Sequence, residues 1–375
     1  MRILVLTKRQ YTNKDLLSDR YGRIREIPLA LAHLGHEVLG LCLSYRHRPE
    51  EEILDVDADH MTGTRWLSMN SGAFLFPGLI RYVRRVFRQI QKFKPDVILA
   101  CSDGMYGILG TWIGRHTNTP CVFDLYDNFE SFGSTRFTGL LPVYRWAVRN
   151  ADGVTCVSNP LCTKVNTEYH RTLPAIVIEN AVRSDMFFPR DMRESRKQLG
   201  LPSDAIIIGT AGALHENRGI DALFRGFERL ASENDRIHLA IAGSRDHRTR
   251  IPSGQRVHDL GLLPQADVPL LINSLDVAVI CNLDSEFGRY CFPQKAYEIL
   301  SCRRPLAAAD VGAMKELLAK YPSNLFMPND PVDLSRVVRI QLQSPTVPDI
   351  PIPTWDSIAE RLDIFLQSIC AGHAR

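Results

Sequence analysis

The chain has 375 residues, and its 45 Lys and Arg side chains against 42 Asp and Glu give a formal net charge of only +3. This near balance argues against nucleic acid as a partner, and a hydrophobic fraction of 45% argues against a disordered chain. At roughly 100–200 residues per domain, the length predicts about two globular domains.

The nine cysteines are scattered along the chain and form no Cys-x-x-Cys pair. This pattern favours reduced thiols in a cytoplasmic protein over a disulfide framework or a zinc site. No run of about 18 apolar residues is present, so no membrane-spanning helix is predicted. The opening residues MRILVLTKRQ indicate a buried strand rather than a signal peptide.

The first half alternates continuous apolar runs, typical of buried parallel strands, with segments of helical spacing. Strand, helix and strand in that order predict right-handed crossovers in a parallel sheet. The predicted strands are Arg2–Thr7, Glu37–Leu43, Asp96–Cys101, Cys121–Leu125, Gly153–Val157 and Ile176–Glu179, and the predicted helices are Ile24–Leu34, Tyr106–His116 and Val143–Asn150.

A polar stretch at Asn180–Arg196, with Pro189 in its middle, indicates a linker and places the domain boundary near residue 185. The alternation then restarts, which predicts two Rossmann-like α/β domains, over residues 1–185 and 186–352, with a ligand cleft between them. The predicted strands are Ala205–Thr210, His238–Ala242, Val277–Cys281 and Pro305–Ala309, and the helices are Ile220–Ser232 and Gln294–Cys302.

The segment FPQKAYEILSCRRPLAA, residues 292–308, opens a predicted helix with the pattern Pro-x-Lys-x-x-Glu. It resembles the donor-site signature of the retaining GT-B glycosyltransferases of family 4, in the glycogen-synthase-like superfamily. The resemblance implies that Glu298 holds the ribose of a nucleotide sugar. It also implies that Lys295, on the same helix face, contacts a phosphate. Pro293 and Gln294 open this helix and are expected donor contacts.

The segment GTAGALHENRGIDALFRGFERL, residues 209–230, is similar to the family's strand, glycine-rich loop and helix that bind the diphosphate. The resemblance makes Arg218 the second cation and places Gly212 and His215 in the donor loop. Ala213 stands where the family has an arginine. A third similar segment, residues 260–280, implies that backbone groups near Leu263 hold the nucleotide base.

The loop DSEFGRYCFPQ, residues 284–294, stands where the family carries its Glu-x7-Glu motif. Tyr290 replaces the first glutamate of that motif. Gly288 allows backbone N–H groups to approach a sugar or phosphate, and Arg289 and Tyr290 are expected donor contacts beside it.

The first half resembles the family more weakly. In VFDLYDNFE, residues 122–130, Tyr126-Asp127 stands where the family has His-Asp. Asp127 is expected to act on an acceptor hydroxyl or to orient the donor sugar, with Tyr126 beside it on the acceptor side. The resemblance also implies that residues 353–375 form a helix that crosses back onto the first domain.

The acceptor side has a second candidate in the loop of residues 8–25, which is rich in cations. Arg9 and Arg23 would suit a phosphorylated or acidic acceptor. The alternative is a flexible charged loop without a binding role.

Transfer of a sugar from a nucleotide diphosphate leaves negative charge on the departing diphosphate, which the site must stabilise. The sequence has no clear Asp-x-Asp metal site, so no metal and no cofactor beyond the nucleotide sugar are expected, and Arg218 and Lys295 are the candidates for this work. No pair of carboxylates suited to a double displacement is evident.

The segment at residues 78–94, GLIRYVRRVFRQIQKFK, carries six basic residues and no acid, together with an apolar stripe at helical spacing. A basic amphipathic helix of this kind lies on anionic membrane surfaces. This would make the protein peripheral on the inner face of the membrane. The alternative is an ordinary Rossmann helix with its apolar side on the sheet.

Together these features predict a retaining, metal-independent glycosyltransferase of GT-B architecture. It would use a UDP or GDP sugar and a glycan, lipid-linked or small-molecule acceptor, as in polysaccharide biosynthesis. Two alternatives remain from the sequence: a nucleotide-sugar epimerase or hydrolase on the same fold, and a catalytically inactive nucleotide-binding scaffold subunit.

Overall fold

The computed structural model describes residues 1–11, 14–20, 22–46, 48–56, 62–72, 75–131 and 139–373. The chain divides into two compact units. Unit 1 comprises residues 1–180 and 355–375, and unit 2 comprises residues 181–354. Among the described residues, no helix combines the length and the apolar character needed to cross a bilayer.

Unit 1 is built on an eight-stranded sheet. Its strand order is β10-β9-β8-β7-β1-β4-β6-β5, and every pairing is parallel except that of β5 with β6. A small antiparallel hairpin, β2–β3, follows β1. The strands are β1 Arg2–Lys8, β2 Gln10–Tyr11, β3 Lys14–Asp15, β4 Glu37–Ser44, β5 Glu52–Val56, β6 Gly63–Asn70, β7 Val97–Ala100, β8 Cys121–Leu125, β9 Gly153–Cys156 and β10 Ala175–Val177.

The helices of unit 1 include five that connect these strands. Their apolar faces pack on the sheet, as the burial of Tyr82, Val86 and Ile113 illustrates. The connecting helices are α1 Arg23–His33, α2 Leu75–Phe93, α3 Gly104–Thr117, α4 Leu140–Asn150 and α5 Asn159–Thr167.

Unit 2 has a fully parallel six-stranded sheet in the order β13-β12-β11-β14-β15-β16. Its strands are β11 Ile206–Ala211, β12 Ile237–Ala242, β13 Val257–Asp259, β14 Val277–Ile280, β15 Leu306–Ala309 and β16 Leu325–Phe326. Its helices are α6 Met192–Gln198, α7 Ile220–Glu233, α8 Val268–Ser274, α9 Glu286–Tyr290, α10 Lys295–Ser301, α11 Gly312–Leu317 and α12 Pro331–Gln343.

The last helix, α13 (Trp355–His373), packs within unit 1. It lies against α1, and His36 Nε2 stands 2.9 Å from a carboxylate oxygen of Asp363. The ring of Phe365 lies so close to Gly153 that a Cβ there would meet it at 2.9 Å. The C-terminal segment is therefore part of the unit formed by the first 180 residues.

The fold class predicted from the sequence is confirmed: both units are Rossmann-like α/β folds with parallel sheets. Several elements were not predicted, among them β5, β6 and two short helices. Helix α6 begins inside the segment predicted as a linker and ends two residues beyond it, and the Asp191 carboxylate caps it by accepting from the Glu194 N–H at 2.8 Å. Helix α9 lies inside the segment predicted as a loop.

Each parallel sheet has one point where the strand order reverses. In unit 1 this point lies between β1 and β7, and in unit 2 it lies between β11 and β14. Connections leave the two strands at such a point in opposite directions, which opens a crevice beyond their carboxyl ends. The topology therefore marks one candidate ligand position in each unit.

Candidate functional site

The loop after β11 crosses closely over the end of β12. Gly212 donates its N–H to the Ala242 carbonyl at 2.9 Å, and Gly243 donates to the Gly261 carbonyl at 2.8 Å. Gly243 has φ +146°, and a Cβ on it would meet the Gly212 carbonyl oxygen at 1.5 Å. Only glycine fits this crossing, which holds the ends of β11, β12 and β13 side by side at one edge of the sheet.

The start of α7 meets the segment that follows β14. A Cβ on Gly219, which has φ +72°, would lie 2.9 Å from the Leu283 side chain. The Arg218 guanidinium stacks over the ring of Phe287 at 3.4 Å from the ring centroid. This contact fixes one cation directly at the reversal point of the unit 2 sheet, and Phe287 is a member of the site that the sequence did not indicate.

Helix α10 brings three further polar side chains to the same edge. Lys295 Nζ lies 3.4 Å from Thr210 Oγ1 near the end of β11. Gln294 Nε2 donates to Glu298 Oε1 at 3.2 Å. Residues three apart on a helix share a face, so the ammonium and the carboxylate point the same way. Thr210 was also missed, although a threonine near the end of the apolar strand IIIGTA is the signal that could have identified it.

Burial and neighbouring charges shift the pKa values of both ionisable groups on α10. Burial lowers the pKa of the Lys295 ammonium, and the positive charge of Arg218 lowers it further. Burial raises the pKa of Glu298 to about 7, although Lys295 and the hydrogen bond from Gln294 both oppose this rise. Two cations that destabilise one another form a site suited to an anion.

The other donor-side residues named from the sequence line the same edge. His215 Nε2 lies 3.4 Å from Ser244 Oγ, and Leu263 is half-buried shortly after β13. Pro293 accepts from the Ala296 N–H at 2.9 Å and so opens α10. Tyr290 is half-buried at the end of α9.

Gly288 and Arg289 lie on α9, and each has a partner there. The Gly288 N–H donates to Ser285 Oγ at 3.2 Å, and a Cβ on Gly288 would meet the Leu283 carbonyl oxygen at 1.9 Å. Arg289 pairs with Asp284 at 2.5 Å and is half exposed. The glycine therefore serves the packing of α9 against the segment after β14.

In unit 1, Tyr126 and Asp127 directly follow the carboxyl end of β8. Asp127 Oδ1 accepts from the Asn128 N–H at 2.8 Å. The Tyr126 ring packs edge-to-face on Phe129 at 5.1 Å. Both side chains are half-buried at the edge where a Rossmann-like sheet binds ligands.

The structure places Arg9 and Arg23 in buried ion pairs within unit 1. Arg9 is 3% exposed and donates from Nε to both carboxylate oxygens of Asp15 at 3.0 Å. Arg23 is 1% exposed and forms a bidentate pair with Asp124 at 2.7 and 3.0 Å. Their charges are thus neutralised inside the fold, unlike the free cations expected from the sequence.

A residue that the sequence did not indicate marks the reversal point of unit 1. Ser102 follows β7 and has φ +85°, a left-handed conformation that favours glycine. Its Oγ accepts from the Lys8 N–H at 3.0 Å, and Lys8 Nζ lies 3.5 Å from Asp103. Backbone strain of this kind, which costs about 1–3 kcal/mol, concentrates at functional sites. Lys8, Ser102 and Asp103 therefore mark the candidate ligand position of unit 1.

No group of three or more His, Cys, Asp or Glu side chains within the described ranges is arranged to hold a metal ion. The positive charges at the unit 2 edge include those of Arg218 and Lys295.

Comparison with known protein families gives two matches, one in each unit. Residues 23–165 match the family model described as "Glycosyl transferase 4-like domain". Residues 205–343 match the model described as "Glycosyl transferases group 1". Between them the two models cover most of the chain, including the edge of unit 2 described above.

Curated relatives are distant and match only part of the chain. The 2-deoxystreptamine glucosyltransferase of Streptomyces kanamyceticus is 26% identical over 215 residues, which are 54% of this chain and 54% of the relative. The phosphatidylinositol N-acetylglucosaminyltransferase GPI3 subunit of Saccharomyces cerevisiae is 28% identical over 215 residues, 54% of this chain and 46% of the relative. The chain thus spans about half the length of these relatives.

Solved structures with the same fold match along nearly the whole chain. Sucrose-phosphate synthase from Thermosynechococcus elongatus aligns with a TM-score of 0.78 at 17% identity and covers 99% of both chains. HepE of Anabaena, solved with UDP and glucose, aligns with a TM-score of 0.72 at 17% identity and covers 97% of this chain and 99% of its own. At this identity the likeness concerns the fold.

Proposed function

Because the chain belongs to the glycosyltransferase family of "Glycosyl transferases group 1", we propose that it moves a sugar from a nucleotide-diphosphate-sugar donor to an acceptor hydroxyl with retention of the anomeric configuration. The donor binds unit 2 and the acceptor binds unit 1. The names of the curated relatives support an acceptor that is a small polyol or a lipid-linked molecule.

The observation that carries this proposal is the pair of cations at the reversal point of the unit 2 sheet. Arg218 is held there by Phe287, and Lys295 is held beside Thr210 with its pKa lowered by burial and by Arg218. A bound diphosphate would offset this repulsion and would raise the pKa of Lys295. The same cations would stabilise the charge that grows on the diphosphate as the sugar leaves.

Glu298 is proposed to hold the ribose of the nucleotide. Two vicinal hydroxyls donate well to one carboxylate, and the hydrogen bond from Gln294 orients that carboxylate at the start of α10. His215 and Gly212 would contact the diphosphate from the loop after β11. Leu263 would place backbone groups against the base.

In the proposed reaction, the bond between the anomeric carbon and the diphosphate oxygen breaks. The acceptor hydroxyl oxygen bonds to that carbon on the same face, and its proton leaves with the departing diphosphate. Asp127 would bind the acceptor hydroxyl or orient the donor sugar, and Tyr126 would lie beside it. No metal step is part of this proposal, since the two cations supply the positive charge.

The acceptor contacts proposed from the sequence need revision. Arg9 and Arg23 are engaged by Asp15 and Asp124, so an anionic acceptor would have to break buried ion pairs to reach them. The proposed acceptor edge is instead formed by Lys8, Ser102 and Asp103 together with Asp127. These groups suit a hydroxyl-rich acceptor.

A transfer assay tests this function directly. A thermal-shift screen of the intact protein against UDP, GDP, ADP and their sugars first selects the donor, because a ligand that binds the folded state raises the melting temperature. The selected donor is then incubated with polyol, glycan and lipid-linked acceptors, and NMR of the product reads the anomeric configuration. An inverted product would contradict retention. Release of free sugar, with no glycosylated product from any acceptor, would favour a hydrolase.

A further inference from the structure

The apolar side of helix α2 is buried in the core of unit 1. Tyr82, Val86, Ile90 and Phe93 are at most 8% exposed and pack on the sheet core, and Tyr82 donates its hydroxyl to the Leu41 carbonyl at 2.8 Å. This stripe is therefore not available for insertion into a lipid bilayer. A ligand of α2 must therefore contact the opposite, cationic face of the helix.

The opposite face carries a row of arginines, three of which have no acidic partner. Within the described parts of the chain, no carboxylate lies within ion-pair distance of Arg84, Arg85 or Arg88, whereas Arg81 pairs with Glu50 at 2.6 Å. A surface cavity of about 620 Å³ opens beside this row. Its lining includes Arg81, Arg84, Arg85 and Arg88, together with Glu50 and Ile80.

The length of the arginine row and the exposed residues beside it favour an extended anionic surface as the ligand over a single small anion. From Arg81 to Lys92 the helix rises by about 16 Å, which is longer than one phosphate group. Ile80 is 53% exposed at one end, and Trp112 is 39% exposed beside the row, with its ring edge-to-face on Phe87 at 5.9 Å. Tryptophan is enriched where proteins meet the interface of a membrane with water.

We propose that the arginine face of α2 binds the phosphate groups of anionic phospholipids at a membrane surface, with the apolar side of the helix remaining in the protein core. The binding is electrostatic and shallow, so it is reversed by salt, in contrast to an inserted amphipathic helix. The proposal is independent of sugar transfer, because none of its residues belongs to the proposed donor or acceptor edge.

The test is co-sedimentation of the full chain with vesicles of phosphatidylcholine, alone or with about 30% phosphatidylglycerol. We expect binding only to the anionic vesicles and strong weakening between about 50 mM and 500 mM salt. Changing Arg84, Arg85 and Arg88 to Gln should lower the partition coefficient by about 100-fold, or about 3 kcal/mol at 1.4 kcal/mol per tenfold.

A matched variant separates a local site from net charge. Changing Arg193, Arg225 and Arg229 to Gln removes the same three charges from exposed positions of unit 2. This variant should keep vesicle binding within about twofold of the wild type. An equal loss in both variants would overturn the assignment to α2. Both variants alter exposed side chains, so their melting temperatures should match that of the wild type.

Three further outcomes would also overturn the proposal. One is wild-type binding that survives high salt, which would indicate insertion. Another is α2-dependent binding of single-stranded oligonucleotide or heparin without vesicle binding, which would indicate a different polyanion. The last is α2-dependent binding of inorganic phosphate without vesicle binding, which would indicate a small-anion site.

Discussion

Replacement of Glu298 by Gln should make the ligand-free protein more stable at alkaline pH. Burial raises the pKa of Glu298 from an ordinary 4.5 to about 7. At 1.36 kcal/mol per pKa unit this corresponds to at most about 3 kcal/mol, and partial solvent access reduces the expected gain to about 1–2 kcal/mol. Gln keeps an oxygen that can accept from Gln294 and removes the charge.

The direction of the pH dependence follows from the raised pKa. Below pH 4.5 the carboxyl is protonated in the folded and in the unfolded chain, so its burial costs no charge. As the pH rises through 7, the buried carboxyl ionises in the folded protein. The stability that its protonated form contributes is then lost. The melting temperature of Glu298→Gln should therefore exceed that of the wild type by about 2–8 °C at pH 8 and by little at pH 5.

Thermal unfolding of both proteins without nucleotide, from pH 5 to pH 8, checks this expectation. Glu228→Gln, an exposed glutamate on α7, is the control and should follow the wild type at every pH. The same Glu298→Gln change should weaken nucleotide binding by about 10- to 100-fold, because it removes charge-assisted hydrogen bonds to the ribose. Melting curves that do not diverge with pH would refute the burial argument, and unchanged affinity would refute the ribose assignment.

Three other predictions concern the same two units. Phe287→Leu removes the ring under Arg218 and should weaken nucleotide binding by about 2- to 10-fold, as measured by calorimetry; full affinity would show that the stacking does not position Arg218. Nucleotide binding at pH 6.5 should release up to about three-quarters of a proton as Glu298 ionises, which titrations in buffers of different ionisation enthalpy measure; proton uptake would contradict it. Arg23→Met leaves Asp124 unpaired in the core and should lower the free energy of unfolding by about 3–5 kcal/mol in a urea titration, whereas a loss below about 1 kcal/mol would refute a structural ion pair.

The alternation of strands and helices could be predicted because buried parallel strands are continuous apolar runs, as Val97–Ala100 illustrates. The antiparallel edge strand Glu52–Val56 escaped prediction because it is short and its sequence EILDV is neither a continuous apolar run nor a regular alternation of polar and apolar residues. Helix α6 escaped because a polar helix of seven residues has no apolar stripe.

The placement of Lys295 and Glu298 together at one edge of unit 2 could be predicted because they lie on one helix, where spacing alone decides which side chains share a face. Contacts between distant segments could not be predicted. Nothing in the local sequence shows that Arg23 faces Asp124 across 101 positions, or that Phe287 lies under Arg218. For that reason a binding role was expected for Arg9 and Arg23, whereas the structure shows them in buried ion pairs.

The most direct test of the proposed donor site is calorimetric titration of the full chain with the nucleoside diphosphate selected by the thermal-shift screen. The wild type should bind it, and Arg218→Ala and Lys295→Ala should each weaken binding by at least about 10-fold, since each removes one charged hydrogen-bonding group. Arg225→Ala, an exposed arginine on α7, should bind like the wild type. Undiminished affinity in both site variants, or no binding of any nucleotide by the wild type, would contradict the assignment of the unit 2 edge as a nucleotide-sugar site.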